Sequence, residues 1–88
     1  LYDNYPNPFN PITNIRFDVP KFGPLKLLVY NVNGQLVKTL KDGNIAPGTY
    51  NISWDGFDDY GQVLPSGIYF YHMETNEFNK KSKMVLIK

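Results

Sequence analysis

Leu25-Lys26-Leu27-Leu28-Val29-Tyr30-Asn31-Val32-Asn33-Gly34-Gln35-Leu36-Val37-Lys38-Thr39-Leu40 is the stretch that decides the fold class. Leu25 to Val32 is apolar on both parities, with Leu25, Leu27 and Val29 set against Leu28, Tyr30 and Val32. A strand carries that pattern when both of its faces are covered, so this one reads as central. Asn33-Gly34 comes next, a strong short hairpin signal because both positions tolerate positive φ. Gln35 to Leu40 is then the returning strand, with Val37 a core residue.

On the N-terminal side of this hairpin, Ile12 to Val19 alternates, with Ile15, Phe17 and Val19 on one face and Asn14, Arg16 and Asp18 on the other. That is a half-buried strand. Pro20 to Pro24 is a turn, Lys41 to Gly48 a polar loop, and Thr49 to Trp54 alternates again through Tyr50, Ile52 and Trp54. Asp55 to Ser66 is the longest loop. Gly67 to Met73 is dense in aromatics and reads as the innermost strand. Thr75 to Asn79 turns the chain into a closing strand, Lys80 to Lys88. Short strands with turn signals at this spacing and no helical period predict an all-β, immunoglobulin-like antiparallel β-sandwich of about seven strands. Its expected core holds Ile15, Phe17, Leu27, Val29, Val37, Ile52, Trp54, Tyr69, Tyr71 and Val85.

Composition agrees. The chain has 88 residues, 42% of them apolar and 16% aromatic, with a single alanine, Ala46. Tyr and Phe favour strands, and a chain of this length holds one domain with a modest core. A formal net charge of +1 gives no strong field toward nucleic acid. Cysteine is absent, which excludes disulfides and thiolate metal sites. No apolar run reaches the roughly 18 residues that a membrane helix requires. The chain starts at Leu1 rather than Met and reads as a piece of a longer protein, with any export signal upstream.

Residues 1–11 form a Pro/Asn-rich opening segment or linker, and 12–88 a single β-sandwich domain. The opening holds Pro6, Pro8 and Pro11, each of which fixes its own φ and biases the preceding residue away from helix. It must be extended or turning, with Tyr5 and Phe9 available as anchors. Such a segment can seat the first strand, and as a semi-rigid spacer it can also separate this domain from another.

Four features invite chemistry. Asp55, Asp58 and Asp59 near Gly56 and Gly61 resemble a hard-cation loop, yet their spacing is not that of an EF-hand, and Asp and Gly serve any long turn. His72 is the only histidine and has no nucleophile or second ligand to work with. Lys80, Lys81, Lys83 and Lys88 place four of the nine basic residues at the end of the chain. They suit the binding of an acidic partner or a polyanionic surface polysaccharide, or equally the protection of an edge strand. Tyr50, Trp54, Tyr60, Tyr69 and Tyr71 could stack on sugar rings if exposed in a row, or fill the core. No catalytic residue, metal ligand, cofactor or small-molecule substrate is indicated by these residues.

The segments Tyr5-Pro6-Asn7-Pro8-Phe9-Asn10-Pro11, Val29-Tyr30-Asn31-Val32-Asn33-Gly34-Gln35-Leu36-Val37 and Gly48-Thr49-Tyr50 belong to a wider pattern. It continues through Trp54-Asp55-Gly56, Asp58-Asp59-Tyr60-Gly61, Pro65-Ser66-Gly67-Ile68-Tyr69-Phe70-Tyr71 and Lys83-Met84-Val85-Leu86-Ile87-Lys88. Together they resemble the C-terminal sorting domain, type A, of the Por or type IX secretion system. They are also similar to the immunoglobulin-like domain of the flagellar hook-capping protein, through Trp-Asp-Gly and Ser-Gly-Xaa-Tyr. The first resemblance implies a non-enzymatic extracellular accessory domain that directs an upstream cargo of the same precursor through the outer-membrane secretion machinery. Its localisation would be secreted or cell surface, via the periplasm. Carried over residue by residue, recognition would lie in Pro6, Asn7, Pro8, Gly67, Tyr69, Lys83, Val85, Leu86, Ile87 and Lys88, with pairing along the last strand as one means. The second implies a structural or assembly module, and a carbohydrate-binding appendage of a secreted enzyme is the third expectation.

Overall fold

Period-two alternation over Thr13-Asn14-Ile15-Arg16-Phe17-Asp18-Val19 becomes strand β1 (Thr13–Val19), with its odd residues buried and its even ones in water. The structure, a computed structural model, describes residues 1–87. Five further strands complete it: β2 (Gly23–Asn31), β3 (Leu36–Ile45), β4 (Gly48–Trp54), β5 (Gly67–Thr75) and β6 (Asn79–Leu86). One sheet is ordered β3-β2-β5-β6 and the other pairs β1 with β4, all antiparallel. Tyr2 and Tyr5 extend the smaller sheet. The Tyr2 N–H donates to the Arg16 carbonyl, and Tyr5 and Asn14 exchange both backbone bonds, each at 2.9 Å. With that segment as a short seventh member, three extended stretches face four. The chain is an all-β antiparallel sandwich, as its sequence predicts.

Inward residues of both layers meet in one core of Phe9, Ile15, Phe17, Val19, Leu25, Leu27, Val29, Ile45, Trp54, Tyr69, Tyr71, Met73, Met84 and Leu86. Trp54 is 1% exposed. Its ring lies 5.4 Å edge-on from Tyr69 and 5.6 Å from Phe9. The indole N–H donates to the Phe57 carbonyl at 2.9 Å, so burial strands no donor. Val37 and Ile52 are only half-buried, packed against the core from its margin.

Three local expectations need correction. Val85 is not a core residue: it pairs with Ile68 on the outer face, while Met84 and Leu86 point inward. Four consecutive apolar residues give no parity, and the register with β5 decides it. Val32 lies in the turn rather than the strand. The Gly34 N–H donates to the Asn31 carbonyl at 3.0 Å, and Gly34 takes φ 78° while Asn33 keeps a negative φ. That is a three-residue hairpin loop, with glycine alone in the left-handed region. Finally, β3 runs on through Lys41 to Ile45, which reads in sequence as loop, and crosses to β4 through Ala46-Pro47 alone.

Asp18 ties the opening segment to the smaller sheet. Its carboxylate accepts the Tyr2 hydroxyl at 2.7 Å and the Thr49 hydroxyl at 2.8 Å. Those bonds, Tyr2's first, hold its pKa below the ordinary 3.8, and the same bond raises the Tyr2 phenol. A depressed carboxyl adds stability above its unfolded pKa and loses it as pH falls through the folded one. Asp18→Asn should therefore flatten the acid limb of the melting temperature below about pH 4, while wild type falls more steeply. Parallel acid limbs would show that the bonds contribute nothing. Both residues are exposed, so the effect is small.

Candidate recognition surface

Pro8 has no N–H, so the backbone around Asn7 cannot pair regularly with a neighbour. The Asn7 side chain does so instead. Phe9 forms a parallel bridge to β6, its N–H donating to the Val85 carbonyl and its carbonyl accepting the Ile87 N–H, both at 2.9 Å. A parallel ladder continued back from there would need an acceptor for the Val85 N–H and a donor for the Lys83 carbonyl. Asn7 Oδ1 takes the first at 2.9 Å, and Asn7 Nδ2 approaches the second at 3.5 Å. The side-chain amide stands in for a peptide group, and the outer edge of β6 is occupied from Lys83 to Ile87.

Behind this clasp lies a buried polar knot. Asn4 is 3% exposed and Thr13 fully buried. Asn4 Nδ2 donates to Thr13 Oγ1 at 3.0 Å, and the Thr13 hydroxyl donates to the Pro6 carbonyl at 2.7 Å. Tyr71 Oη accepts the Asn4 N–H and donates to the Tyr2 carbonyl, both at 3.0 Å. The opening segment is thus held to β1, β5 and β6 at once.

The residues named from the sequence converge here. Gly67 pairs with Leu86, Ile68 with Val85 and Tyr69 with Met84, so the Gly67–Tyr69 segment lies beside the end of β6, whose far edge carries Asn7 and Phe9. Their accessibilities differ. Tyr69 and Leu86 are core residues, and the Tyr69 hydroxyl donates inside the domain to the Pro65 carbonyl at 2.7 Å. Burial raises its pKa. Pro6, Asn7, Pro8, Lys83 and Ile87 are exposed, Gly67 and Val85 half-buried, and Lys88 lies outside the described residues. Side-chain contact with another molecule is therefore open to the second group, while Tyr69 and Leu86 are enclosed in the core. Ile68, 41% exposed beside Val85, adds an apolar contact that sequence reading missed, since its parity shows only in the register.

The remaining candidates fall into structural places. Asp55 Oδ1 accepts the Phe57 N–H, Asp58 Oδ1 accepts those of Tyr60 and Gln62, and Asp59 accepts that of Thr39. Their carboxylates organise the loop. Gly56, of the Trp-Asp-Gly element, has φ 78°, and a Cβ there would stand 3.3 Å from Leu86 Cδ2. Trp54, Tyr69 and Tyr71 are buried and Tyr60 is 90% exposed, so the five aromatics do not form a row. The His72 ring lies 4.5 Å from that of Tyr30 on the outer face of the larger sheet.

No curated protein matches the chain by sequence. Among solved structures it is similar to FlgD from P. aeruginosa, with 24% identity and a TM-score of 0.64 over 84% of this chain and 58% of that one. It is also similar to PorZ, an essential bacterial surface component of the type IX secretion system of Porphyromonas gingivalis. There the identity is 16% and the TM-score 0.66, over 98% of this chain and 11% of that one. The chain thus spans little more than half of the first structure and about a tenth of the second. The sequence model of the FlgD Ig-like domain matches residues 13–77, well over half the chain, and the chain belongs to that family.

Proposed function

We propose that this domain is the sorting signal of an exported precursor, read as a folded unit by the outer-membrane machinery of a type IX secretion system. It performs no covalent chemistry and carries no cofactor. Its cargo lies upstream in the same precursor and travels through the periplasm to the cell surface or beyond. The observation that carries this reading is the convergence of the Pro6-Asn7-Pro8 opening, the Gly67–Tyr69 segment and the end of β6 on one edge of the sandwich. The fold shared with PorZ supports it. Because Asn7 and Phe9 already occupy the edge at Lys83 to Ile87, recognition there proceeds through side chains and shape rather than strand addition.

The test is transport of a periplasm-targeted fluorescent reporter fused ahead of the 88 residues, in a bacterium with the system and in its transport-defective mutant. Export in the first strain alone is expected, and loss of export on deleting Lys83 to Lys88. That deletion also removes the core residues Met84 and Leu86, so exposed Lys83→Glu and Ile87→Asp, which leave the core intact, should lower export as well. Reporter retained in both strains, with the domain folded and a native signal exported, would instead favour a structural assembly module. The match to the FlgD Ig-like family is what favours that second reading.

A further inference from the structure

Among the described residues, every sheet edge in this sandwich is closed or defended except one. The β1 edge is taken by Tyr2 and Tyr5, and the β6 edge by Asn7 and Phe9, beside Lys80, Lys81 and Lys83. On β3, Asp59 accepts the Thr39 N–H at 3.1 Å and donates its own N–H to the Val37 carbonyl at 3.0 Å. Two register shifts and three charged residues, Lys38, Lys41 and Asp42, interrupt the rest of that strand. Bulges, charges and covering segments are the usual ways to stop an edge from pairing. Strand β4, Gly48-Thr49-Tyr50-Asn51-Ile52-Ser53-Trp54, has no charge, proline or register shift and pairs only with β1.

Its free groups can be named. Asn14 and Arg16 turn their backbone groups toward Tyr5 and Tyr2, so Thr13, Ile15, Phe17 and Val19 bond β4 at Trp54, Ile52, Tyr50 and Gly48. The N–H and C=O groups of Thr49, Asn51 and Ser53 therefore point away from β1 into an unfilled side of the sandwich. The space is one strand wide. The opening segment leaves the β1 edge at Tyr5 and reaches the β6 edge at Phe9, so those edges are stacked, and the three-membered layer ends one strand short of β3. At one end β3 and β4 are joined by Ala46-Pro47, and toward the other the loop after Trp54 bonds the β3 backbone at Val37 and Thr39. At the Trp54 end there is a groove of about 260 Å³ lined by Ile12, Lys38, Leu40, Ser53, Trp54 and Asp55.

We infer that the β4 edge is a docking site for an extended segment of another protein, added as the fourth strand of the smaller layer, with apolar and acidic side chains facing inward. The acidic preference comes from β3. Lys41 pairs with the core residue Leu27, so it stands on the inner face, beneath the vacant position. Lys38, opposite Val29, stands on the same face but already meets Asp59 Oδ1 at 3.7 Å, so Lys41 carries the preference. Apolar side chains would rest on Leu40 and Ile52, which touch the core but are not covered by it. A whole second copy does not fit, because pairing β4 to β4 would drive the two projecting β3 strands into one space. Backbone pairing would supply affinity and the alternating inward side chains would supply selectivity. The inference is independent of the sorting role.

The probe is the synthetic peptide Thr-Val-Thr-Glu-Thr-Val-Thr, with two controls: Lys in place of Glu, and N-methylation along the ladder edge. At saturating peptide, amide exchange at Thr49, Asn51 and Ser53 should slow by about tenfold or more. The Lys peptide should bind more weakly and the methylated one not at all. Asn51→Pro removes an N–H that β1 does not use, so it should fold and lose the effect. If it does not fold, the methylated peptide still isolates the ladder bonds. Unchanged exchange at millimolar peptide, or slowing at Lys81 and Lys83 instead, would overturn the proposal. Protection of the same amides that grows with protein concentration and needs no peptide would also overturn it, because the occupant would then be a second copy.

Discussion

Trp54→Ala should leave the domain largely unfolded. Removing a buried aromatic typically costs about 3–5 kcal/mol, and whole domains are stable by only about 5–15 kcal/mol. A chain of this size sits toward the lower end of that range. Trp54 is fully enclosed, meets Tyr69 edge-on and Phe9 at a tilt, and its indole N–H donates to the Phe57 carbonyl. Truncation therefore opens a cavity between the layers and leaves the Phe57 carbonyl, at the start of the long loop, without its donor. A thermal melt should show the transition lowered by tens of degrees or absent at room temperature. An unchanged melt would mean that the core closes without the indole.

Phe9→Ala should cost about as much, roughly 3–5 kcal/mol, although Phe9 sits in a segment without regular structure. The ring is 1% exposed and its backbone holds Val85 and Ile87. Losing the ring should loosen the clasp and uncover the edge of β6. Two measurements separate these effects: the melt reports lost packing, and light scattering against concentration reports edge-to-edge association. Phe9→Leu should recover most of the stability. The double variant with Trp54→Ala should cost less than the sum of the two, because the rings touch. Full additivity would mean that the two rings pack independently.

Local pattern carries the sandwich and most of its core. Alternation at Ile15, Phe17 and Val19 leaves no choice of face, and all three are buried. Val85 shows where pattern stops: in Met84-Val85-Leu86-Ile87 either parity is apolar, and only pairing with Ile68 turns Val85 outward. The long β3 is hidden for a different reason. An edge strand defended by Lys41, Asp42 and Gly43 looks like a loop, because what keeps an edge from aggregating also erases its period. The clasp leaves the weakest trace. Asn7 meets partners 76 and 78 residues away, and the flanking prolines announce an irregular backbone without saying what it joins. The motifs at the two ends are legible separately, and their meeting is a property of the folded chain.

The parallel sense of the Phe9–Leu86 bridge has a mechanical consequence. In a parallel pair, the chain enters one strand and leaves the other at opposite ends. Tension applied between the two ends of the domain then slides the strands along each other instead of peeling them apart. The Phe9–Val85, Ile87–Phe9 and Val85–Asn7 bonds, each 2.9 Å long, share such a load together. Peeling would break them one at a time. The junction that looks least regular in the fold is thus the one placed to resist a pull across the domain.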